Sequence, residues 1–209
     1  IAQSCVKNKT EKLANYWVHN GFVTFDKEKM SKSLGNIFTI TEAEKKYSGQ
    51  VVRLALLSSH YKQPLDWSDE LLKTQSKILD KWYSLYTTDY SEKLPECFSD
   101  LLDDLNTPKY ISKLHDLFNQ SQDGNKEKIK EFNKACRLVG LFHQTNIDRD
   151  KFKKNKISIS EKQILGKIKE REIAKKSGNY DLADKIRNEL SDEGIDIKDI
   201  KDKTIWNYK

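Results

Sequence analysis

A change in hydrophobic period near Thr41 is the feature that most constrains the fold. After it, apolar residues recur about every 3.6 positions, which is typical of amphipathic helices. The longest stripe follows Ser68, a residue type that favours helix N-termini, and runs past Trp82. Its members are Leu71, Leu72, Ile78, Leu79, Trp82 and Leu85. We therefore predict a mainly α chain built around a helical bundle.

Shorter helices are predicted on both sides of this stripe. They run through Tyr47, over about 50–59, and near 96–104, 107–120 and 126–142. The chain enters the fourth of these through Thr107, with Pro108 in the first turn, where a missing N–H removes no helical hydrogen bond. Upstream, the β-branched and aromatic residues of 16–25 predict extended chain bent at Asn20-Gly21.

Positive charge is concentrated toward the C-terminus. The 209 residues carry 38 Lys+Arg against 32 Asp+Glu, a net charge of +6, and residues 151–209 hold 16 of the basic and 11 of the acidic side chains. Residues 148–156 are polar, rich in lysine and without a helical apolar period. We therefore predict a linker there and a domain boundary near residue 150.

The region after this boundary has its own pattern. Ser160-x-x-Gln163 is a capping-box pair in front of one helix, and Ser177-Gly178 ends that helix. A second helix is predicted over about 179–194, because apolar residues recur there every four positions. Short strands are predicted at 195–197 and 204–206. This region should form a helix pair with a small β-element.

Composition excludes several classes of protein. No apolar run approaches the roughly 18 residues that a membrane span needs, and the N-terminus shows no signal-peptide pattern. Cys5, Cys97 and Cys136 are scattered without a C-x-x-C pair, which indicates reduced thiols rather than a disulfide framework or a zinc knuckle. We expect a cytoplasmic protein. Because the first residue is Ile1 rather than Met, we also expect a fragment of a longer chain.

The motif that carries the most chemistry is Lys29-Met30-Ser31-Lys32-Ser33, followed by Gly35. Two lysines three positions apart, with serines beside them and a glycine beyond, place compact cations and hydrogen-bond donors on a polar loop. A polyphosphate needs such donors where negative charge builds in its transition state. A bare K-x-x-K pair is more often a solvated surface turn. The full string favours a phosphate-binding loop.

Residues 29–33 match the KMSKS signature of class I aminoacyl-tRNA synthetases, and their surroundings resemble the cysteinyl-tRNA synthetase family. The resemblance extends over almost the whole chain. It rests on Ile1-Ala2-Gln3-Ser4, residues 16–23, Ser58-Ser59-His60-Tyr61, residues 103–108, Tyr180, Ala183-Asp184, Ile186-Arg187, Leu190, Gly194-Ile195 and Trp206.

The resemblance implies an enzyme that joins cysteine to its tRNA in two steps, using ATP with Mg²⁺. It implies the end of a class I Rossmann-type catalytic domain with the KMSKS loop at 1–65, a helical tRNA-contacting bundle at 66–150, and a small α+β anticodon-binding domain at 151–209. The family's HIGH motif and Zn²⁺ ligands would precede position 1. We therefore expect no metal site on this portion and no activity from it in isolation. The expected partners are tRNA(Cys), cysteine and ATP, without a membrane, and a monomer is expected.

The resemblance also assigns candidate site residues. The expected catalytic residues are Lys29 and Lys32. The expected ATP contacts are Lys29, Met30, Ser31, Lys32, Ser33, His19 and Gly21, with His19 as a positioning residue rather than a general base. The expected RNA contacts are Lys175, Lys176, Lys185 and Arg187 for phosphates, Tyr180 and Trp206 for stacking, and Asp184 and Asp199 for base edges.

Alternatives stay open for several of these features. We interpret Asp103-Asp104 as a helix end and turn rather than as a Mg²⁺ site. The basic tail has a simpler interpretation as a solvated lysine-rich helix, and Trp206 as a residue that closes a small core. For the whole chain, the alternatives are a non-catalytic tRNA- or RNA-binding helical module and a relative that couples cysteine to an amino sugar, which would lack residues 151–209.

Overall fold

Two compact units make up the chain, Ile1–His143 and Gln144–Lys209. The structure is a computed structural model and describes residues 1–25, 27–30, 38–155, 157–200 and 203–208, without the side chains of residues 152 and 203. Helices dominate both units, so the mainly α prediction is confirmed. Within the described residues, no helix combines the length and the apolar character that crossing a bilayer requires.

The first unit contains seven α-helices and three strands in its described residues, with 3-10 turns at Tyr83–Leu85 and Ser121–Asp123. In chain order they are α1 (Ala2–Asn8), β1 (Val23–Phe25), β2 (Glu28–Lys29), α2 (Ile40–Lys46), α3 (Gly49–Leu57), β3 (Leu65–Trp67), α4 (Asp69–Trp82), α5 (Phe98–Leu102), α6 (Thr107–Gln120) and α7 (Lys126–Leu138). The second unit contains α8 (Asn146–Lys154), α9 (Glu161–Lys176), α10 (Tyr180–Asp192), β4 (Ile195–Ile200) and β5 (Lys203–Tyr208).

The long amphipathic helix predicted after Ser68 is α4. The Ser68 hydroxyl accepts a hydrogen bond from the amide of Leu71, which caps the helix. The predicted stripe faces the core of the first unit, and Trp82 meets the Phe132 ring edge-to-face at 5.7 Å.

Two predicted helices of this unit are longer than those observed. The helix predicted over 96–104 covers only Phe98–Leu102, because Asp104 and Leu105 both adopt left-handed backbone with φ of 53°. The helix predicted over 126–142 ends at Leu138, and Gly140 then turns the chain with φ of 74°.

The extended chain predicted over residues 16–25 forms a strand only at its end. Val23–Phe25 forms β1, whereas Tyr16, Trp17 and Val18 are exposed and pair with no strand among the described residues. A strand forms only where a neighbour supplies ladder hydrogen bonds. For β1 those neighbours are β2 and β3.

The second unit confirms the predicted helix pair and β-element. Ser160 and Gln163 form the capping box in front of α9. The strands β4 and β5 pair antiparallel from Ile195↔Tyr208 to Ile200↔Lys203. The core of this unit consists of Ile164, Ile168, Ile186, Leu190, Ile195 and Ile197.

The linker predicted over 148–156 is wrong, because most of that segment is the helix α8. Thr145 and Asp148 form a capping box at its start, with the Thr145 hydroxyl donating to the Asp148 carboxylate at 2.7 Å. Such a cap starts a helix without an apolar stripe. The second unit accordingly begins at Gln144.

Candidate functional site

A three-stranded sheet carries the first lysine of the 29–33 motif. Its strand order is β2-β1-β3, with β1 antiparallel to β2 and parallel to β3. Lys29 of β2 lies opposite Thr24 of β1, and Thr24 lies opposite Asp66 of β3. Residues directly opposite one another project from the same face of a sheet. Lys29, Thr24 and Asp66 therefore form one row across the sheet.

The structure describes the first two residues of the motif. The Lys29 ammonium lies 5.8 Å from the centroid of the Phe22 ring, within cation–π range. Met30 is half-buried and packs against the core of the first unit. The predicted ATP contacts Ser31, Lys32 and Ser33 lie outside the described residues.

The Asp66 carboxylate ties β3 to β1 and to the turn that leads into β2. Its Oδ1 accepts a hydrogen bond from the Thr24 hydroxyl at 2.7 Å and another from the Lys27 amide at 2.6 Å. These bonds, that of Thr24 first, lower the pKa of Asp66 from its ordinary value. At neutral pH the group is therefore an anion that accepts from both donors.

Gly21 lies where two backbone segments approach closely. Its amide donates to the Tyr61 carbonyl at 2.7 Å, and any Cβ at this position would overlap the backbone carbonyl of Gln63. The turn at 61–63 therefore requires a glycine here. Because the Gly21 amide is used within the fold, its predicted contact with the adenine would have to use its carbonyl or Cα.

Replacing Gly21 by alanine tests this close approach. Because the new Cβ would meet backbone rather than a movable side chain, we expect Gly21→Ala to lower the free energy of unfolding by about 1–3 kcal/mol. Gly49→Ala is the control, because its Cβ would make only an ordinary contact with the Glu44 side chain. Denaturant unfolding of both variants measures the difference. Equal stabilities would contradict the requirement for glycine.

His19 lies in the exposed segment before β1. Its ring stacks on that of Trp17, with centroids 6.3 Å apart and 12° between the planes. Tyr16, Val18 and Phe22 are exposed in the same segment. The structure thus gives His19 an aromatic neighbour, and its positioning role toward the nucleotide stays a prediction.

Two segments that carry the family resemblance meet at Asp104. The Tyr61 hydroxyl donates to Asp104 Oδ1 at 2.7 Å, and the Lys62 ammonium pairs with Oδ2. These contacts, that of Lys62 first, lower the pKa of Asp104. The helix that follows is capped by the Asn106 side chain, which accepts from the Lys109 amide. Asp104 therefore anchors the turn at 61–62, in agreement with its interpretation as part of a turn.

Three of the predicted RNA contacts lie on one exposed face of α10. Tyr180, Asp184 and Arg187 are spaced by four and three positions, so their side chains lie along the same side of the helix. Tyr180 is 65% exposed at the first helical position. Lys185 of the same helix and Lys176 at the end of α9 are exposed as well. An aromatic ring, a carboxylate and a cation thus lie along one solvent-facing side of α10.

Asp199, another predicted RNA contact, is bonded within the second unit. Both of its oxygens accept from the Arg171 guanidinium at 2.9 Å, and Lys175 and the Thr204 hydroxyl add bonds of 2.9 and 2.8 Å. These donors, Arg171 first, hold the pKa of Asp199 well below its usual range. Direct bonding of Asp199 or Lys175 to RNA would have to replace bonds within this network.

The Asp199 network should contribute measurably to stability. The Arg171 side chain is only 6% exposed, so Asp199→Ala would leave a buried cation without its carboxylate. We expect a loss of about 2 kcal/mol of unfolding free energy in this unit. Because the folded-state pKa of Asp199 is lowered, this stabilisation is present above the ordinary aspartate pKa of about 3.9 and is lost as pH falls through the folded pKa.

Amide hydrogen exchange in β4 and α9 measures this stability at pH 7 and at pH 3. Asp196→Ala is the matched control, since Asp196 is an exposed aspartate of the same strand. Equal exchange rates in the two variants at pH 7 would contradict a stabilising role for Asp199.

Trp206, the last predicted RNA contact, packs against the core of the second unit. It is partly buried there, and its ring meets that of Tyr208 edge-to-face at 5.1 Å. This arrangement favours the alternative in which Trp206 closes the core. Stacking of Trp206 on RNA stays a prediction.

Two structural residues were not predicted from the sequence: Asp66, which bonds Thr24 and Lys27, and Arg171, which bonds Asp199. Arg171 had a signal, because a cation there continues the buried positions of Ile164 and Ile168 at helical spacing. Asp66 had none, because its two donors are 39 and 42 positions away in the chain.

The described residues do not fit a protein-bound metal ion. No three His, Cys, Asp or Glu side chains among them are arranged to hold one. Cys97 and Cys136 are buried, and burial raises the pKa of both thiols, so they stay protonated rather than forming the thiolates that Zn²⁺ prefers.

Comparison with known proteins shows which enzyme family this chain resembles. Residues 1–77, which contain the three-stranded sheet and the 29–33 motif, match a family described as tRNA synthetases class I (C) catalytic domain. Residues 1–77 are therefore similar to the catalytic domain of class I aminoacyl-tRNA synthetases. Over its whole length the chain is a homologue of cysteine–tRNA ligases.

The similarity covers all of this chain but only part of the relatives. A cysteine–tRNA ligase of Pelagibacter ubique is 44% identical over 100% of this chain and 47% of its own length. One of Afipia carboxidovorans is 37% identical over 99% of this chain and 45% of its length. The chain thus spans about half the length of the curated relatives it matches. A solved complex of an Agrobacterium radiobacter LeuRS with tRNA and LeuAMS aligns with 86% of this chain and 30% of its own, at 16% identity and a TM-score of 0.43.

Proposed function

We propose that the chain is part of an enzyme that ligates cysteine to its cognate tRNA at the expense of ATP. The observation that carries this proposal is the similarity to cysteine–tRNA ligases over the whole chain. The sheet that presents Lys29 at the start of the 29–33 motif and the exposed face of α10 support it independently.

The proposed reaction has two steps. The cysteine carboxylate attacks the α-phosphate of ATP, which forms cysteinyl adenylate and releases pyrophosphate. A ribose hydroxyl of the tRNA terminus then attacks the activated carbonyl, forms the ester and releases AMP. Negative charge builds on the phosphates in the first step, so cations placed there lower its barrier.

This chain contributes the cations in the proposal. Lys29 and Lys32 approach the phosphates as the catalytic residues, and Met30, Ser31 and Ser33 complete the loop around them. His19 and Gly21 lie near the adenine as positioning residues. Mg²⁺ would enter with ATP, and Zn²⁺ would be held outside this chain.

The second unit supplies anticodon recognition in the proposal. Tyr180 stacks on a base, Asp184 accepts hydrogen bonds from a base edge, and Arg187 attracts phosphate. Lys176 and Lys185 add phosphate attraction. Lys175, Asp199 and Trp206 also stabilise the second unit, in addition to any RNA contact that they make. The chain then has three functional parts: the end of the catalytic domain at 1–65, a tRNA-contacting bundle that ends with the first unit at His143, and an anticodon-binding part formed by the second unit, Gln144–Lys209. The enzyme would act as a cytoplasmic monomer.

Aminoacylation of tRNA by the complete gene product tests the proposal. Transcribed tRNA with a GCA anticodon is incubated with ATP and radiolabelled cysteine or serine. The proposal predicts ATP-dependent esterification with cysteine and little with serine. Transfer of cysteine to an amino sugar instead of tRNA would favour the amino-sugar alternative, and RNA binding without any ligation would favour the binding-module alternative.

A further inference from the structure

The turn between β1 and β2 is held by a residue from a third strand. Lys27 lies in this turn with left-handed backbone at φ of 67°, a conformation that costs a non-glycine residue about 1–2 kcal/mol. Its amide donates to Asp66 Oδ1 at 2.6 Å. A conformation of this kind persists only where the surroundings enforce it. Here the Asp66 carboxylate supplies that enforcement.

The strand that the turn leads into is very short. β2 comprises only Glu28 and Lys29 and is paired with β1 at Phe25↔Glu28 and Thr24↔Lys29. Two residue pairs fix the direction of a strand weakly. The position of Lys29 therefore depends on the turn at Lys27 as well as on the ladder.

The Asp66 carboxylate also bonds Thr24, the central residue of the Lys29–Thr24–Asp66 row. Thr24 lies between Asp66 and Lys29 in the sheet register, and its hydroxyl donates to the same Asp66 oxygen at 2.7 Å. Asp66 thus fixes both the residue directly beside Lys29 and the turn before it.

We infer that Asp66 is a positioning residue that sets the placement of Lys29 at the ATP phosphates. The inference rests on the proposed function. In this role Asp66 acts by accepting two hydrogen bonds, from the Thr24 hydroxyl and the Lys27 amide, rather than by contact with the substrate. The property that matters is therefore an acceptor oxygen at this position, which asparagine also provides.

Steady-state cysteine-dependent ATP–pyrophosphate exchange by the complete gene product tests the inference. Asp66→Leu keeps the branched shape and the number of side-chain heavy atoms but removes the acceptor, and it should lower kcat about 10–10²-fold because Lys29 is misplaced, with a smaller change in the KM for ATP. Asp66→Asn should restore kcat to within about threefold of the unsubstituted enzyme. Glu70→Ala, an exposed carboxylate at the start of α4, is the control for loss of negative charge and should leave kcat unchanged.

A structural measurement accompanies the kinetics. Amide hydrogen exchange at Lys27 should be faster in Asp66→Leu than in Asp66→Asn, because only asparagine can still bond that amide. If Asp66→Leu retained full kcat, or if Asp66→Asn lost as much kcat as Asp66→Leu, the inference would be overturned. An unsubstituted enzyme with no cysteine-dependent exchange would instead contradict the proposed function itself.

Discussion

Lys32→Ala is expected to lower the rate of cysteine-dependent ATP–pyrophosphate exchange by about 10²–10³-fold. The reason is that the lysine in the proposal acts mainly where charge develops on the phosphates. Its removal should therefore raise the barrier more than it weakens ATP binding, so kcat should fall further than the KM for ATP rises. Lys29→Ala should act in the same direction with a smaller loss, because Lys29 assists.

The matched control for this prediction is Lys45→Ala. Lys45 is an exposed lysine in the last turn of α2, and its removal changes the net charge by the same amount. Exchange in the control should equal that of the unsubstituted enzyme. Unchanged exchange in Lys32→Ala would remove Lys32 from the catalytic assignment.

Tyr180→Ala is expected to weaken binding of tRNA with a GCA anticodon by about 1–3 kcal/mol, the usual contribution of one stacked base. The ring is 65% exposed and does not belong to the core of the second unit, so stability should hardly change. Tyr180→Phe keeps the stacking face and should bind nearly as well as the unsubstituted protein. Filter binding across a salt series measures the affinities.

The controls for this prediction separate stacking from charge and from base recognition. Lys176→Ala should reduce the salt slope of log K by about 0.7–0.9, whereas Tyr180→Ala should leave that slope unchanged. Asp184→Asn should erode discrimination between GCA and an altered anticodon, and Asp192→Asn, an exposed change at the far end of α10, should not. If Tyr180→Ala and Tyr180→Phe bound equally well, the α10 face would return to the solvated-helix interpretation.

Local patterns predicted the helical part of the fold well. Caps and stripes placed α4, α9 and α10, because each of these signals comes from residues within a few positions of one another. The helix α8 was missed because it has a cap but no apolar stripe. Its capping residues are Thr145, which precedes the lysine-rich segment, and Asp148, which begins it. That segment has no apolar stripe that would have indicated a helix.

The site was predicted only where its chemistry is contiguous in the chain. The 29–33 string predicts a phosphate loop directly, but the residue that fixes the turn before Lys29 lies elsewhere in the chain. Asp66 reaches Lys27 across 39 positions and Lys62 reaches Asp104 across 42, and no periodicity reports such pairs. Asp199 is a second example. It bonds Arg171 of α9, which is 28 positions away, so the residues next to Asp199 in the sequence do not indicate this contact.

Amino-acid-dependent ATP–pyrophosphate exchange by the complete gene product shows directly whether the enzyme activates cysteine. Each of the twenty amino acids is supplied in turn with ATP and labelled pyrophosphate, and the Lys32→Ala variant provides the background. The proposed function predicts exchange with cysteine well above that with serine, alanine and every other amino acid, and its loss in the variant. Exchange that is equally fast with another amino acid, or absent with all twenty from a folded protein, would contradict it.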